Sequence, residues 1–282
     1  MIQDLKFAGT RALRVGSDII ASVLAASLGE GRNPNLTKLD LHDCKFTNNA
    51  SHEALFRALG AAMSLSYLDL GNCDLEDDGI KKVCHALFAS NTTLEHLDLS
   101  GNGVTRHGAK HIAEYVRENG GNLKVLRLEG NLDLTSRGVV AIASAFRGRE
   151  VGHSIEEIQL NSCMIGAIGA RALIEAFGPN GNDMPNLNHI YLNDNSFADD
   201  VLSEVEVAFG HKLGEMDDND SDGDEDENIS LLITLLGSSD VADHTYAATG
   251  ESSVVIHVET DVVVLILLFR THYASSQALS RS

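Results

Sequence analysis

The 282-residue chain contains no tryptophan, and aromatic residues make up only 5% of it, although hydrophobic residues make up 43%. This composition is sufficient for a folded core and predicts one built from Leu, Ile, Val and Ala. Basic residues are scarce too, because 21 Lys and Arg stand against 41 Asp and Glu, for a formal net charge of −20. This balance argues against nucleic acid as a partner, since phosphate binding depends on clustered Lys and Arg.

Cysteines and long apolar runs are few as well. The four cysteines form no CxxC pair, so we expect reduced thiols rather than a disulfide scaffold. The run Val262–Phe269 is far shorter than the roughly 20 residues of a helical membrane span, so we expect no membrane insertion. Residues Met1–Leu13 lack the apolar centre of a secretory signal, which predicts a cytoplasmic protein.

Recognisable catalytic motifs are absent from the sequence. It contains no GxSxG, no Walker lysine after a glycine loop and no HExxH. Asp218, Asp220, Asp222 and Gly223 imitate the start of a calcium loop, but Ile229 stands where the bidentate glutamate belongs. We therefore predict a protein that is not an enzyme in itself, with no catalytic residues, no metal site and no cofactor.

What the sequence does contain is a repeat. The pattern Lxx(L/I)x(L/F)xx(N/C/T) begins seven times, and after a first interval of 34 residues the intervals are 29, 29, 29, 32 and 32. A period near 29 is typical of long leucine-rich repeats. The seven copies begin near residues 2, 36, 65, 94, 123, 155 and 187.

A second marker in each copy predicts a helix after the strand. A Gly or Ala follows each start by fourteen or fifteen residues, except in the last copy, where the residue is Val201. Apolar stripes at helical spacing come next, such as Ile80, Val83 and Leu87. We therefore predict an α/β leucine-rich repeat solenoid, a horseshoe over residues 2–210 with a parallel sheet on its concave face and helices on its convex face.

The last residue of each motif predicts a ladder inside the solenoid. It stands where the chain leaves the strand, so its side chain can satisfy buried backbone groups of the neighbouring loop. We expect the cysteines there to be structural, because a buried free cysteine behaves as a small hydrophobe. The ladder positions are Thr10, Cys44, Cys73, Asn102, Asn131, Cys163 and Asn195.

Function is expected at strand residues that point away from the core. Three of them are consecutive aspartates, one strand spacing of roughly 5 Å apart. They form either a solvated acidic stripe or a docking strip for a basic partner surface, where charge sets association rate and specificity. The candidate partner-binding residues are Lys38, Asp40, His42, Asp69, His96, Asp98, Arg127 and Glu129.

Two segments follow the repeats. Residues 211–228 form an acidic tail, in which positions 215–227 hold nine acids and no base. Residues 229–282 do not continue the repeat and carry β-rich apolar runs. These runs either cover an exposed end of the solenoid or form an unnatural extension, and we expect them to be poorly ordered.

The repeats and the junction His211–Asp220, followed by the acidic run, resemble the C-terminal half of Ran GTPase-activating proteins of the plant and algal type. The resemblance covers about residues 2–227. It implies a monomer that docks on the small GTPase Ran and promotes GTP hydrolysis in nucleocytoplasmic transport, in the cytoplasm, at the nuclear envelope or in the nucleus.

The family's essential arginine lies in an earlier repeat than any matched here, so neither Arg11 nor Arg14 is given its role. Either the chain is a gene-model fragment, or it keeps the docking surface and has lost the activity. The alternative is a generic leucine-rich repeat scaffold of the ribonuclease-inhibitor or immune-receptor type, with no GTPase role.

Overall fold

The computed structural model describes residues 4–6, 36–45, 49–90, 93–147, 154–179, 184, 186–216, 219, 253–259 and 262–268. The chain divides into two compact units, residues 1–227 and 228–282. Thr10 of the predicted ladder lies outside the described residues, as do positions 217–218 and 220–228 of the acidic tail.

The first unit contains one parallel sheet in which each strand pairs with its neighbour in sequence. Every strand is three residues long, because the chain turns away from the sheet after each motif. The described strands are β1 (Asp4–Lys6), β2 (Lys38–Asp40), β3 (Tyr67–Asp69), β4 (His96–Asp98), β5 (Val125–Arg127), β6 (Glu157–Gln159) and β7 (His189–Tyr191).

A helix follows each strand from β2 onward. The predicted small residue lies in the first turn of each of these helices, with Val201 in its place in the last one. Short 3₁₀ turns at Gly120–Asn122 and Gly210–Lys212 end two of the helical segments. The helices are α1 (Asn49–Gly60), α2 (Glu76–Ser90), α3 (Arg106–Asn119), α4 (Thr135–Ala145), α5 (Ala167–Phe177) and α6 (Asp199–Phe209).

The core lies between the sheet and the helices and is aliphatic, as the composition predicts. The motif leucines Leu68, Leu97 and Leu126 are fully buried. The helical stripe Ile80, Val83 and Leu87 is buried against them, so the helices bury one face each. The predicted α/β solenoid is confirmed.

The glycine of the first helical turn lets adjacent helices approach closely. A Cβ on Gly169 would lie 3.1 Å from Cα of Ser136 in the preceding helix and closer still to the side chain of Ile165. Protein interiors are close-packed, so a methyl group there would force the two repeats apart. The small residue at position 169 is therefore a packing requirement of the two stacked helices.

The segment after α6 continues the sheet by one further step. Leu213 forms a parallel bridge with Ile190, and the N–H of Gly214 donates to the carbonyl of Ile190 (3.0 Å). Asn219 Oδ1 then accepts the N–H of Asn195 (3.0 Å), as the ladder residues do between full repeats. Leu213, Gly214 and Asn219 thus cover the C-terminal end of the sheet, and we call these three residues the C-terminal cap.

The second unit contains two antiparallel strands within the non-repeat region. They are β8 (Ser253–Glu259) and β9 (Val262–Leu268), with Ser253 opposite Leu268 and Glu259 opposite Val262. The rest of residues 228–282 lies outside the described residues.

Candidate protein-binding face

The strand residues that alternate with the buried leucines share one side of the sheet, which we call the concave face. Parallel pairing places the third residue of each strand beside the third residue of the next. The resulting row reads Lys6, Asp40, Asp69, Asp98, Arg127, Gln159 and Tyr191.

The three aspartates of this row are not the solvated stripe that was one of the two expectations. Asp40, Asp69 and Asp98 are only 7%, 8% and 5% exposed. Each Oδ1 accepts the backbone N–H two residues later, at 3.2, 2.9 and 2.9 Å respectively, so the carboxylates fold back onto the turns that leave the strands. They are turn-forming groups that place buried negative charge under the concave face.

Two of these carboxylates have a further side-chain partner. Lys6 Nζ lies 2.6 Å from Asp40 Oδ2. His42 Nδ1 donates to Asp69 Oδ1 (3.2 Å), while its Nε2 accepts from Asn72 Nδ2 (3.3 Å), an arrangement that suits the neutral Nδ1–H tautomer. Asp40 therefore has a cationic partner, whereas Asp69 is held by hydrogen bonds.

Burial of Asp69 makes its ionised form expensive. Loss of solvent raises the pKa of the Asp69 carboxyl, and the nearby charge of Asp98 raises it further. The hydrogen bond from the N–H of Gly71 and the contact with His42 lower the pKa but do not offset burial. The ionised form of Asp69 therefore costs free energy in the folded protein.

Aromatic groups occupy the first strand position beside this row. The rings of Tyr67 and His96 are stacked, with centroids 4.2 Å apart and planes 17° from parallel. Burial and the charges of Asp69, Asp40 and Asp98 raise the pKa of Tyr67 to about 12. Burial and the charge of Arg127 lower the pKa of His96, so the His96 ring is neutral at pH 7.

A polar cluster bounds the aspartates on the other side. Arg127 Nε and Nη2 both donate to Glu157 Oε1, at 3.0 and 2.9 Å, and Gln159 Nε2 donates to the same oxygen (3.0 Å). Burial alone would lower the pKa of Arg127, but the hydrogen bonds and charge of Glu157 raise it. The Arg127 guanidinium therefore forms its described hydrogen bonds with Glu157 and not with Asp98.

The structure places all eight sequence-predicted partner-binding residues on β2–β5 or on the turns that follow them. It brings His42 against Asp69 and aligns Asp98 with Arg127. The side chains of Lys38 and Glu129 are exposed, and neither forms a hydrogen bond or an ion pair within the described part of the chain. Sequence reasoning missed Tyr67 and Glu157, although their positions two residues before Asp69 and Gln159 are a signal that they face the same way.

Behind the strands, the ladder residues satisfy buried backbone groups. Asn102 Oδ1 accepts the N–H groups of Cys73 (3.1 Å) and Leu75 (3.2 Å), while its Nδ2 donates to the carbonyls of Leu70 (2.8 Å) and Ser100 (3.1 Å). Asn131 and Asn195 repeat this arrangement in their own loops. Each asparagine therefore ties its loop to the preceding repeat.

Two ladder cysteines also form hydrogen bonds with backbone carbonyls of the preceding repeat. Cys73 Sγ donates to the carbonyl of Leu41 (3.2 Å) and Cys163 Sγ to that of Leu128 (3.3 Å). Burial raises the pKa of Cys73 well above its usual range and that of Cys163 to about 12. Both side chains are thus protonated thiols, which are poor nucleophiles.

An open depression lies where α3 and α4 begin. It is lined by Arg106, His107, Arg137 and neighbouring threonines. Asp77 of the preceding repeat already accepts the N–H groups of Thr105 and Gly108 (2.9 Å each), so the start of α3 is capped within the solenoid.

No group of three or more His, Cys, Asp or Glu side chains among the described residues is arranged to hold a metal ion. No helix in the described part of the chain is long and apolar enough to cross a membrane.

A family model described as Leucine Rich repeat matches residues 32–50, 61–84 and 90–113. Together with the fold, this match defines the class: the chain forms an α/β leucine-rich repeat solenoid. Solenoids of this class generally serve as binding scaffolds. No curated protein matches the sequence significantly.

Two solved structures are similar to this chain. One is the Rad7 and Elc1 complex of yeast, with 18% identity over 61% of this chain and 42% of that one, at a TM-score of 0.39. The other is an internalin (inlF) from Listeria monocytogenes, with 14% identity over 70% of this chain and 63% of that one, at a TM-score of 0.26. This chain thus spans less than two thirds of either, and TM-scores this low carry no argument about function.

Proposed function

We propose that this chain is a protein-binding scaffold whose partner docks on the concave face of β2–β6. The observation that carries the proposal is the composition of that face. It combines stacked rings, buried carboxylates and the exposed charges of Lys38 and Glu129 on rigid strands. Rigid, charged and partly aromatic surfaces are suited to specific protein recognition.

The charge of the face favours a partner with a basic docking surface. Asp40, Asp69 and Asp98 are aligned in neighbouring strands, and only Asp40 forms an ion pair with a lysine or arginine among the described residues. Complementary charge speeds encounter and selects against acidic partners.

For the identity of the partner, we propose a small GTPase of the Ran type. The resemblance of the junction His211–Asp220 and its acidic run to Ran GTPase-activating proteins supports this choice. In this proposal the chain binds Ran as a monomer in the cytoplasm, at the nuclear envelope or in the nucleus, and promotes GTP hydrolysis in nucleocytoplasmic transport. None of the concave-face residues is assigned as the catalytic arginine.

The experiment measures binding and turnover separately. The full chain is titrated into Ran loaded with a non-hydrolysable GTP analogue, and GTP hydrolysis by Ran is followed with and without the chain. Binding with acceleration supports an activator, and binding without acceleration supports a docking scaffold. No binding and no acceleration would overturn the Ran proposal.

The alternative partner class is any other protein that fits the same face, with no GTPase role. The C-terminal cap favours this alternative, because Leu213 and Asn219 extend the sheet and the ladder. Part of the junction that carries the resemblance to Ran activators therefore has a structural role that any solenoid would need. The genomic sequence upstream of this chain distinguishes a Ran-type partner from another protein partner. An in-frame repeat with a loop arginine there would favour the Ran proposal.

A further inference from the structure

Two large apolar side chains are exposed at equivalent positions of neighbouring repeats. Leu132 and Met164 each follow a ladder residue directly, and they are 58% and 52% exposed. The same position in two earlier repeats holds Lys45 and Asp74, whose Nζ and Oδ2 atoms lie 2.8 Å apart. Single exposed apolar residues are ordinary, but neighbouring ones mark interaction sites. We call Leu132 and Met164 the apolar pair.

The two loops that carry the apolar pair run side by side. The N–H of Gly130 donates to the carbonyl of Asn161 (2.9 Å), and the N–H of Thr135 donates to the carbonyl of Cys163 (3.0 Å). These hydrogen bonds lie before and after Leu132 in the chain, so the loop is fixed to the next repeat on both sides of this residue. The apolar pair therefore occupies one place on the surface.

The backbone holds Met164 in a conformation that suits other residues better. Its φ of 51° lies in the left-handed region, where the equivalent residues of earlier repeats are Asp74 and Gly103, at 55° and 67°. Asp and Gly adopt this conformation readily, and a long apolar side chain does so rarely. Asn195 Oδ1 accepts the N–H groups of the residues before and after Met164, at 3.1 and 3.0 Å. Met164 is thus an exposed apolar group on a fixed backbone.

The apolar pair borders a depression that carries positive charge. This depression, at the starts of α3 and α4, is lined by Asp133, which directly follows Leu132, and by Arg106 and Arg137. Both arginines are exposed, and they stand against one aspartate among the described lining residues. In a chain with a net charge of −20, this place favours an acidic group of a partner.

We infer that the partner of the concave face places an apolar side chain on the apolar pair and an acidic group beside Arg106 and Arg137. The inference rests on the proposed function and adds a second contact to that interface, since Glu129 of the concave face lies three residues before Leu132 on the same loop. Groups on a fixed backbone lose little conformational freedom on binding. A methionine thioether also adapts its shape to the group that it contacts.

Methionine methyl signals report this contact directly. The full chain is labelled with ¹³C at the methionine methyl groups, and the Met164 signal is assigned with the Met164→Leu variant. The probe is the blocked peptide acetyl-Glu-Leu-Phe-Glu-amide, compared with peptides that carry lysine in place of glutamate, or serine in place of leucine and phenylalanine. We expect a saturable shift at Met164 and none at Met63, an internal control that is 72% exposed. The lysine peptide should bind about tenfold more weakly.

Variants extend the test to the protein partner, as affinity for Ran loaded with a GTP analogue. Met164→Asn should weaken binding about tenfold, while stability in urea is kept or raised because asparagine suits the left-handed backbone. A purely structural role for Met164 would instead lower the stability. Met63→Asn is the matched control and should leave the affinity unchanged. Arg106→Gln should weaken binding at low salt, whereas Arg57→Gln, at an exposed position of α1, should not.

Equal shifts at Met63 and Met164, no shift at Met164, or an equal shift with the serine peptide would overturn the inference, and equal binding of the lysine peptide would overturn its acidic part. If Met164→Asn binds the partner as tightly as the native chain while Glu129→Lys does not, the contact at the apolar pair is wrong and the proposed function stands. If Met164→Asn weakens binding and Glu129→Lys does not, docking on the concave face is wrong. If the chain does not bind Ran, the Ran proposal fails and the peptide titration alone decides the contact.

Discussion

Asn131 Oδ1 accepts the backbone N–H of Asn102 (2.9 Å), so the ladder asparagines of these two neighbouring repeats are hydrogen-bonded to each other. The same relationship joins Asn195 to Asn219 at the C-terminal end. The ladder therefore runs along the solenoid as a continuous chain of side-chain to backbone contacts, and it sets the position of the loops from which the concave face is built.

Removing one ladder amide should destabilise the protein strongly. Asn102→Ala leaves the buried N–H groups of Cys73 and Leu75 without acceptors. Because each orphaned group costs about 1–3 kcal/mol, we expect the free energy of unfolding to fall by roughly 2–5 kcal/mol. Urea unfolding measures this, with Asn122→Ala at an exposed position as the control. A loss no larger than the control's would contradict the ladder's role.

Neutralising a buried aspartate should stabilise the protein at neutral pH. Asp69→Asn keeps an oxygen for the N–H of Gly71 and removes a charge whose burial raises the pKa of the carboxyl. A raised folded-state pKa means that the native state binds the proton more tightly than the unfolded state, so native stability falls as pH rises from the ordinary value of 3.8 through the raised one.

The measurement is urea unfolding of both proteins at pH 7 and below pH 3.8. We expect Asp69→Asn to be more stable at pH 7, with the difference shrinking as the native carboxyl takes up its proton. A variant that is less stable at every pH would show that the carboxylate is favourable where it lies.

The His96 ring should titrate below its ordinary pKa of 6.5, because burial and Arg127 disfavour its charged form. Arg127→Gln should move the midpoint upward, since it removes a positive charge and leaves Glu157 unpaired. Histidine NMR titration measures both midpoints. Lys110→Gln, on an exposed helical position, is the charge-matched control and should leave the midpoint unchanged. A native midpoint at or above 6.5 would contradict the geometry around His96.

The glycine that separates stacked helices should not tolerate a side chain. In Gly169→Ala the new methyl group would contact Ser136 Cα and Ile165, and overpacking of this kind costs about 1–3 kcal/mol. Thermal unfolding compares this variant with Gly121→Ala, where a Cβ meets no atom within 4 Å. Equal melting temperatures would show that the helices can shift without cost.

Much of the solenoid could be predicted from the sequence, because the leucine period and the glycine marker each specify one strand and one helix per repeat. The alignment of Asp40, Asp69 and Asp98 also follows from the period, since equal intervals give equal register. Their burial could not be predicted in this way. It depends on each carboxylate turning back to its own loop, which alternation along a strand does not reveal.

The side-chain contacts between neighbouring strands also could not be predicted from the sequence. The stack of Tyr67 on His96 and the commitment of Arg127 to Glu157 depend on rotamers chosen between neighbouring repeats. The C-terminal cap was missed for another reason. Its sequence departs from the motif, and Asn219 follows Asn195 after 24 residues, which is shorter than any interval between full repeats.

The central claim is that a protein partner docks on the concave face, and charge reversal at two of its exposed charged positions tests this most directly. The affinity of the full chain for Ran loaded with a GTP analogue is measured for Glu129→Lys, Lys38→Glu and the convex control Lys110→Glu. For a basic docking surface, we expect Glu129→Lys to weaken binding, Lys38→Glu to strengthen it and the control to leave it unchanged. Binding that is insensitive to both concave changes, or that responds to the helical control instead, would contradict the account.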